Sequence, residues 1–329
     1  MLQQTQVATV IPYWKRWLKE LPSIKALANA PEEKVLKLWE GLGYYRRARN
    51  LQKGAQMILK QFAGRFPRTL DDVLQLPGVG RYTAGAICSI AFNQPTPIVD
   101  GNVIRVLTRL HGIDADPKEK PTNARLWTLA EELVVNAESM QRGDKRNCAD
   151  FNQSLMELGA VICSPANPSC DACPLRKACI AKREGTQSQL PNLNKNAKTT
   201  PRHFKAFIIE SNGSFLVRQR PAEAVNGGFW EFPNYEPDAE EPPSLPPHEN
   251  AAPLCVVKHS ITRYRITVEA VYARTRRATR TPKNTTWATL AELDQLALTS
   301  AHRKILGKLI KMTPREAPGT AAAGRPRYN

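Results

Sequence analysis

At 329 residues the chain is long for one domain and comfortable for two, and 47 Lys and Arg against 30 Asp and Glu give a formal charge of +17. That balance makes a polyanion the leading partner. No stretch approaches the roughly 18 consecutive apolar residues of a membrane-spanning helix, and Met1-Leu2-Gln3-Gln4 lacks the basic start of a secretion signal, so a soluble, intracellular protein is expected.

Residues 1 to 50 read as helices over Val10 to Leu21, Ala26 to Ala30 and Glu32 to Trp39, each with apolar residues at helical spacing. At Gly41-Leu42-Gly43-Tyr44-Tyr45 the pattern breaks, and two glycines are expected to expose Leu42 and Tyr44 directly before Arg46, Arg47 and Arg49. Apolar and aromatic tips beside basic residues suit a wedge pushed into a base stack and anchored to phosphates; an ordinary loop before a basic helix face fits as well.

Thr69, Leu70, Val73, Leu74 and Leu76 then form a capped amphipathic pattern, followed by Pro77-Gly78-Val79-Gly80-Arg81-Tyr82 and a small-residue helix from Thr83 to Phe92. Gly78 and Gly80 let the backbone turn sharply and leave N–H groups uncovered where the second helix dipole favours an anion. An ordinary tight turn between core helices remains the alternative. Asp100 precedes the helical pattern Val103, Ile104, Val106, Leu107 and Leu110, where a capping carboxylate belongs. Capping and service as an anion in a pocket are compatible.

Residues 124 to 136 and 150 to 162 read as two further helices, the second capped by Asp150, with Glu138 to Cys148 as a polar surface insertion. Four of the seven cysteines follow: Cys163, Cys170, Cys173 and Cys179, in a stretch broken by Pro165, Pro168 and Pro174. An odd cysteine total with four clustered argues for a metal site in a reducing compartment rather than a disulfide framework. Structural zinc usually pairs two short Cys-x-x-Cys units, and here only Cys170 and Cys173 form one; the uneven spacing suits the wider corners of an iron–sulfur cube. Arg176, Lys177, Lys182 and Arg183 beside it offer phosphate contacts.

Residues 184 to 203 lose periodicity and read as a linker, after which strand-like runs at Phe204 to Ile209, Phe215 to Arg220 and Ile266 to Arg274 and a helix at Ser300 to Lys311 build an α+β domain. The Pro/Glu stretch 236 to 249 is expected to be mobile and the tail 313 to 329 disordered.

The hairpin with its Gly/Pro turn and Asp100, together with Leu2-Gln3-Gln4-Thr5-Gln6 and Gly41-Leu42-Gly43-Tyr44-Tyr45, resembles the helix-hairpin-helix superfamily of base-excision DNA glycosylases, specifically the adenine glycosylases of the MutY type. The resemblance runs from Met1 to about Lys311. It implies a mostly helical glycosylase domain over 1 to 183, with a 4Fe–4S loop at 163 to 179 held by Cys163, Cys170, Cys173 and Cys179. It also implies a Nudix-like lesion-recognition domain over 204 to 312, carried by Arg218-Gln219-Arg220-Pro221 and Gly227-Gly228-Phe229-Trp230-Glu231-Phe232-Pro233. The glutamate-rich metal box of Nudix hydrolases is absent, so this domain should bind rather than hydrolyse.

By the same resemblance, Asp100 is the catalytic anion. Gln4, Leu42 and Tyr44 enter the duplex around the lesion pair, and Gln153 faces the extruded adenine. Gly78, Gly80 and Tyr82 lie in the DNA-gripping hairpin. Tyr82 stands where bifunctional relatives carry a Schiff-base lysine, so a monofunctional enzyme using water is implied. His259 to Tyr264 occupies the lesion-sensing loop, with Thr262 supplying a hydroxyl. The implied partner is double-stranded DNA holding 8-oxoguanine:A or G:A mispairs, bound by a monomer in the bacterial cytoplasm. The family's catalytic acid is a glutamate two residues before the methionine matching Met1, outside this sequence. An adenine glycosylase truncated at its N-terminus, a catalytically silent lesion-binding protein and a glycosylase for another base all remain open.

Overall fold

The computed structural model describes residues 1–2, 5–140, 146–193, 199–238, 243, 245–261, 263–276 and 284–312. In chain order the helices of the first part are α1 (Val7–Glu20), α2 (Ile24–Asn29), α3 (Glu32–Trp39), α4 (Arg46–Gln61), α5 (Leu70–Leu74), α6 (Arg81–Phe92), α7 (Gly101–Leu110), α8 (Lys120–Ser139), α9 (Asn147–Glu157) and α10 (Ile180–Glu184). The strands are β1 (Thr200–Ser211), β2 (Ser214–Gln219), β3 (Trp230–Glu231), β4 (Asn234–Tyr235), β5 (Glu249–Ile261), β6 (Tyr264–Arg274) and β7 (Thr285–Thr289), followed by α11 (Leu290–Gln295) and α12 (Ser300–Met312). A helical first part and an α+β second part are therefore both present. No helix among the described residues is long and apolar enough to cross a membrane.

Two compact units form, and neither is a continuous stretch. One gathers residues 1–22, 30–49 and 197–329; the other gathers 23–29 and 50–196.

In the first unit, the described residues form a mixed sheet in the order β3-β2-β1-β6-β5, with β4 added to β1 and β7 to β2. β1 and β6 pair in parallel from Thr200↔Tyr264 to Glu210↔Arg274, and β5 and β6 form an antiparallel hairpin. Side chains alternate along β1. Ala206 and Ile208 join Val257, Val268 and the α12 residues Ile305, Leu306 and Leu309 in one core, whereas Ile209 packs with Leu216 and Ala273 in another. A capping box closes α11: Thr289 accepts the Glu292 N–H, and the Glu292 carboxylate accepts the Thr289 N–H.

In the second unit, the core centres on α7, where the fully buried Val103 and Leu107 pack with Ile98, Leu126 and Leu155. One helix, α9, differs from expectation at both ends. The helix expected at 150 begins at Asn147, and its start is capped not by Asp150 but by the Asn93 side chain, whose Oδ1 accepts the Cys148 and Ala149 N–H at 3.1 and 3.2 Å. Asn93 can do this because it ends α6 in the left-handed region, φ +55. The same helix stops at Glu157 and passes into one π-helical turn, Leu158–Ile162, before Cys163. Part of the insertion, residues 141–145, lies outside the described residues, as do 194–198 of the linker and the whole tail.

Candidate functional site

In the second unit, the turn from Leu76 to Gly80 joins α5 to α6. Thr69 caps α5 by accepting the Asp72 N–H at 3.2 Å, and the turn closes with the Val79 N–H on the Leu76 carbonyl at 3.0 Å. Gly78 has φ +79, and a side chain there would enter the space of Asn50, so glycine is required. Gly80 meets open space and supplies no capping side chain to α6. The start of α6 therefore presents its dipole without a capping oxygen from Gly80, the arrangement that attracts phosphate.

Asp100 is the N-cap of α7. Its Oδ1 accepts the N–H of Asn102 at 2.9 Å and of Val103 at 2.8 Å, while Oδ2 takes only a 3.3 Å bond from Asn102 Nδ2. One oxygen is occupied by the cap and the other is lightly held. Tyr82 lies near enough to matter: burial, and then the charge of Asp100, push the phenol above its ordinary pKa and keep it neutral. Its hydroxyl donates to Met156 Sδ at 3.5 Å. Gln153 is exposed on α9, and its side-chain amide donates to its own helix at Ala149 O, 3.1 Å.

Two buried arginines that sequence reasoning passed over tie α7 to the cysteine loop. Arg105 donates to Cys163 O at 2.7 Å, Gly159 O at 2.5 Å and Asn102 Oδ1 at 2.9 Å, and burial depresses its pKa. Arg109 donates to Cys163 Sγ at 3.3 Å, Ser164 O at 2.8 Å, Pro165 O at 3.1 Å and Leu190 O at 2.9 Å. Asn102 thus touches both Asp100 and Arg105, and Arg105 touches the first residue of the cysteine loop. The signal was present: two arginines at i and i+4 inside an otherwise apolar helix must find partners when buried.

All four loop cysteines are half-buried free thiols. Burial raises the Cys170 pKa, and Cys163, Cys179 and Cys173 each add to that rise, so the four share one electrostatic neighbourhood. Among the described residues no three metal-binding side chains converge as a single ion requires. The donors are thiols, whose thiolates have the chemistry that iron and sulfide take. Of the neighbouring cations, Lys182 pairs with Asp171 at 3.0 Å and Arg183 with Glu184 at 3.3 Å, while Lys177 is exposed.

The first unit carries the tip at Gly41 to Tyr44. Tyr44 is 55% exposed, but Leu42 is 7% exposed, which corrects the expectation that both project. The arginines also differ from expectation. Arg47 lies over the Trp39 and Tyr44 rings and donates to the Leu42 and Gly43 carbonyls, and Arg49 pairs with Glu32 at 2.7 Å. Arg46 is the exposed one of the three.

The β5–β6 hairpin, also in this unit, closes with Ile261 opposite Tyr264. Ser260 and Arg263 are exposed, Arg263 donates to the Tyr264 hydroxyl at 3.1 Å, and Arg202 lies 5.5 Å from the Tyr264 ring. Hydrogen bonding and charge from Arg263 lower the Tyr264 pKa. Gln4 and Thr262 lie outside the described residues.

Residues 1–132 match the HhH-GPD superfamily of base excision DNA repair proteins, and residues 205–308 match the NUDIX domain. The adenine DNA glycosylase of Rattus norvegicus is 35% identical over an alignment covering 93% of this chain and 69% of that protein. The Homo sapiens adenine DNA glycosylase is 39% identical over 73% of this chain and 51% of its own length, and that of Buchnera aphidicola (Acyrthosiphon pisum) is 39% identical over 72% and 65%. The chain thus spans between half and about two thirds of the length of these curated relatives.

Proposed function

The chain belongs to the adenine DNA glycosylase family, and from that membership we propose that it removes adenine mispaired with 8-oxoguanine or guanine by hydrolysing the N-glycosidic bond in double-stranded DNA. Breaking that bond asks for a proton on the leaving purine, a role the family resemblance gives to a glutamate rather than to any residue named in this site, and for a negative group beside the sugar as positive charge grows there. The observation that carries the reading is Asp100, whose Oδ1 is pinned by two backbone N–H groups and whose Oδ2 is left to face a cation. It stabilises the oxocarbenium-like sugar or traps it briefly before water completes the hydrolysis. Tyr82, a neutral phenol close to Asp100, cannot form an imine with the opened sugar, which supports monofunctional chemistry.

The α6 start at Gly80 and the Gly78 turn grip a phosphate, Tyr44 probes the base stack, and Leu42 follows only if it swings out of its buried position. Gln153 contacts the extruded adenine once its amide leaves Ala149. Gln4 joins Tyr44 at the lesion pair, and the β5–β6 turn with Thr262 reads 8-oxoguanine. Residues 1–183 thus do the glycosylase work and 204–312 the lesion reading, with 184–203 between them, and one chain acts as a monomer in the bacterial cytoplasm. Cys163, Cys170, Cys173 and Cys179 would hold a 4Fe–4S cluster, which braces the loop and its DNA-facing cations when bound.

Single-turnover excision from duplexes with adenine opposite 8-oxoguanine or guanine tests this, with Asp100→Asn as comparison. Asparagine keeps a capping oxygen, so binding should survive while excision slows about 10²-fold or more. Equal, measurable rates for both proteins would remove Asp100 from the chemistry, and binding with no release by either would favour the catalytically silent lesion-binding reading.

A further inference from the structure

The tip at Gly41 to Tyr44 is clamped at both ends to the C-terminal sheet domain within the first unit. Immediately before it, the Glu40 carboxylate accepts two bonds from the Arg303 guanidinium, at 2.7 and 3.1 Å, and one from the Leu298 N–H at 3.2 Å. Lys37 completes the knot, donating to Glu40 at 3.0 Å and to the Leu296 carbonyl at 3.0 Å. Immediately after the tip, the buried Tyr45 places its hydroxyl 3.1 Å from Ser300 Oγ and accepts the Gly41 N–H at 3.3 Å. Its ring lies 4.0 Å from that of Phe229. Ser300 and Arg303 stand one turn apart on α12.

The other face of α12 leads to the hairpin. Ile305 and Leu309 share one apolar core with Val257 of β5, and Ile261 and Tyr264, the residues flanking the hairpin turn, pack against that core. A contiguous line of packed and bonded groups therefore runs from the hairpin turn through α12 to both ends of the tip.

We infer that Glu40 and Tyr45 are positioning residues, and that α12 couples lesion reading at the β5–β6 turn to insertion of the Gly41–Tyr44 tip into the base stack. This rests on the proposed function, in which the turn reads the lesion and Tyr44 probes the stack. The role differs from simple bracing. A brace would slow excision opposite guanine and opposite 8-oxoguanine alike, whereas a coupler passes on only the advantage that the oxidised base provides.

The test measures single-turnover excision on both mispairs, and the fluorescence of 2-aminopurine placed beside the lesion, for the wild-type chain and for Arg303→Met, Ser300→Ala and Asp294→Asn. Asp294 bonds Arg303 at 3.1 Å but does not touch Glu40 through its side chain, so Asp294→Asn is the control. Arg303→Met should shrink the preference for adenine opposite 8-oxoguanine about tenfold, the scale of one hydrogen bond to a charged group, leave the rate opposite guanine unchanged and lower the fluorescence rise on binding. Arg303→Lys should restore part of it, and Asp294→Asn should match wild type. If Arg303→Met does not fold, Ser300→Ala, smaller by one oxygen, decides by the same ratio. Unchanged preference and fluorescence, or equal slowing on both mispairs, overturns the coupling. A wild-type chain that neither excises adenine nor unstacks the probe overturns the proposed function instead.

Discussion

Gly159→Ala offers a measure of how tightly Asp100, the proposed catalytic carboxylate, is held. Gly159 is buried in the π-helical turn before the cysteine loop, and its backbone has no positive φ, so alanine is conformationally acceptable. The new methyl would sit 2.7 Å from Asn102 Cβ and 2.9 Å from Asn102 O. Non-bonded carbons rest about 3.5 to 4.0 Å apart, so the two segments must separate by about 1 Å. Asn102 is the residue whose N–H and side-chain amide hold Asp100, and the Gly159 carbonyl is a partner of Arg105. The displacement therefore falls directly on the Asp100 cap, where an error of about 1 Å costs on the order of 10²-fold in rate. Overpacking also costs about 1–3 kcal/mol, offset in small part by alanine's helix preference. Single-turnover excision and urea melts read the two effects separately. A variant destabilised as stated but excising at the wild-type rate would refute the claim that the π turn sets the position of Asp100.

Protein purified without oxygen should carry about four iron and four sulfide per chain, and stoichiometric zinc in colourless protein would rule out the cluster. Borohydride should trap no protein–DNA adduct during turnover, because Tyr82 supplies no amine; efficient trapping would point to lyase chemistry elsewhere. His302 is buried with its Nδ1 accepting the Phe232 N–H at 3.1 Å, and burial lowers its pKa to about 4 despite the opposing charge of Glu231. The unfolded chain, titrating near 6.5, takes up that proton first. Stability is therefore complete above pH 6.5 and falls as pH drops toward 4, by about 2 kcal/mol at pH 5. Urea midpoints between pH 7 and 5 should show this slope, and His302→Gln should flatten it. Arg109→Met, which strips four bonds from the cysteine loop and its neighbour Leu190, should speed iron loss to a chelator at least several-fold over wild type; equal loss rates would show that the loop holds itself.

Periodicity made α3 legible residue for residue, because its apolar positions Val35, Leu36, Leu38 and Trp39 are its buried ones. It hid α4, whose buried face is built from Ala48, Gln52, Ala55 and Ile58. There the stabilising contacts are polar: Gln52 and Gln56 donate to the Leu27 and Ala28 carbonyls. β5 escaped notice because its first half follows a Pro/Glu stretch and its alternation is broken by two register shifts. The four-cysteine spacing and the Asp100 cap could be read from local pattern, since each needs only near neighbours. The bond from Arg49 to the Gly227 carbonyl and the Asn93 cap on α9 are decided by partners far along the chain, which no local pattern encodes.

The division of the chain into two discontinuous units has a consequence for its birth on the ribosome. Residues 30–49 emerge early, but Glu40, Tyr45 and Arg49 find Arg303, Phe229 and Gly227 only after most of the chain has followed. At 5–20 residues per second that delay is roughly 10 to 50 seconds. During it, Leu36, almost wholly buried in the finished protein with Gly228 against it, has no C-terminal half to cover it. The second unit, Ser23–Asn29 with Asn50–Asn196, can close meanwhile, so synthesis passes through a stage with a folded middle and an uncovered beginning. Holdase chaperones would act in that interval, and a premature stop in the linker would make it permanent.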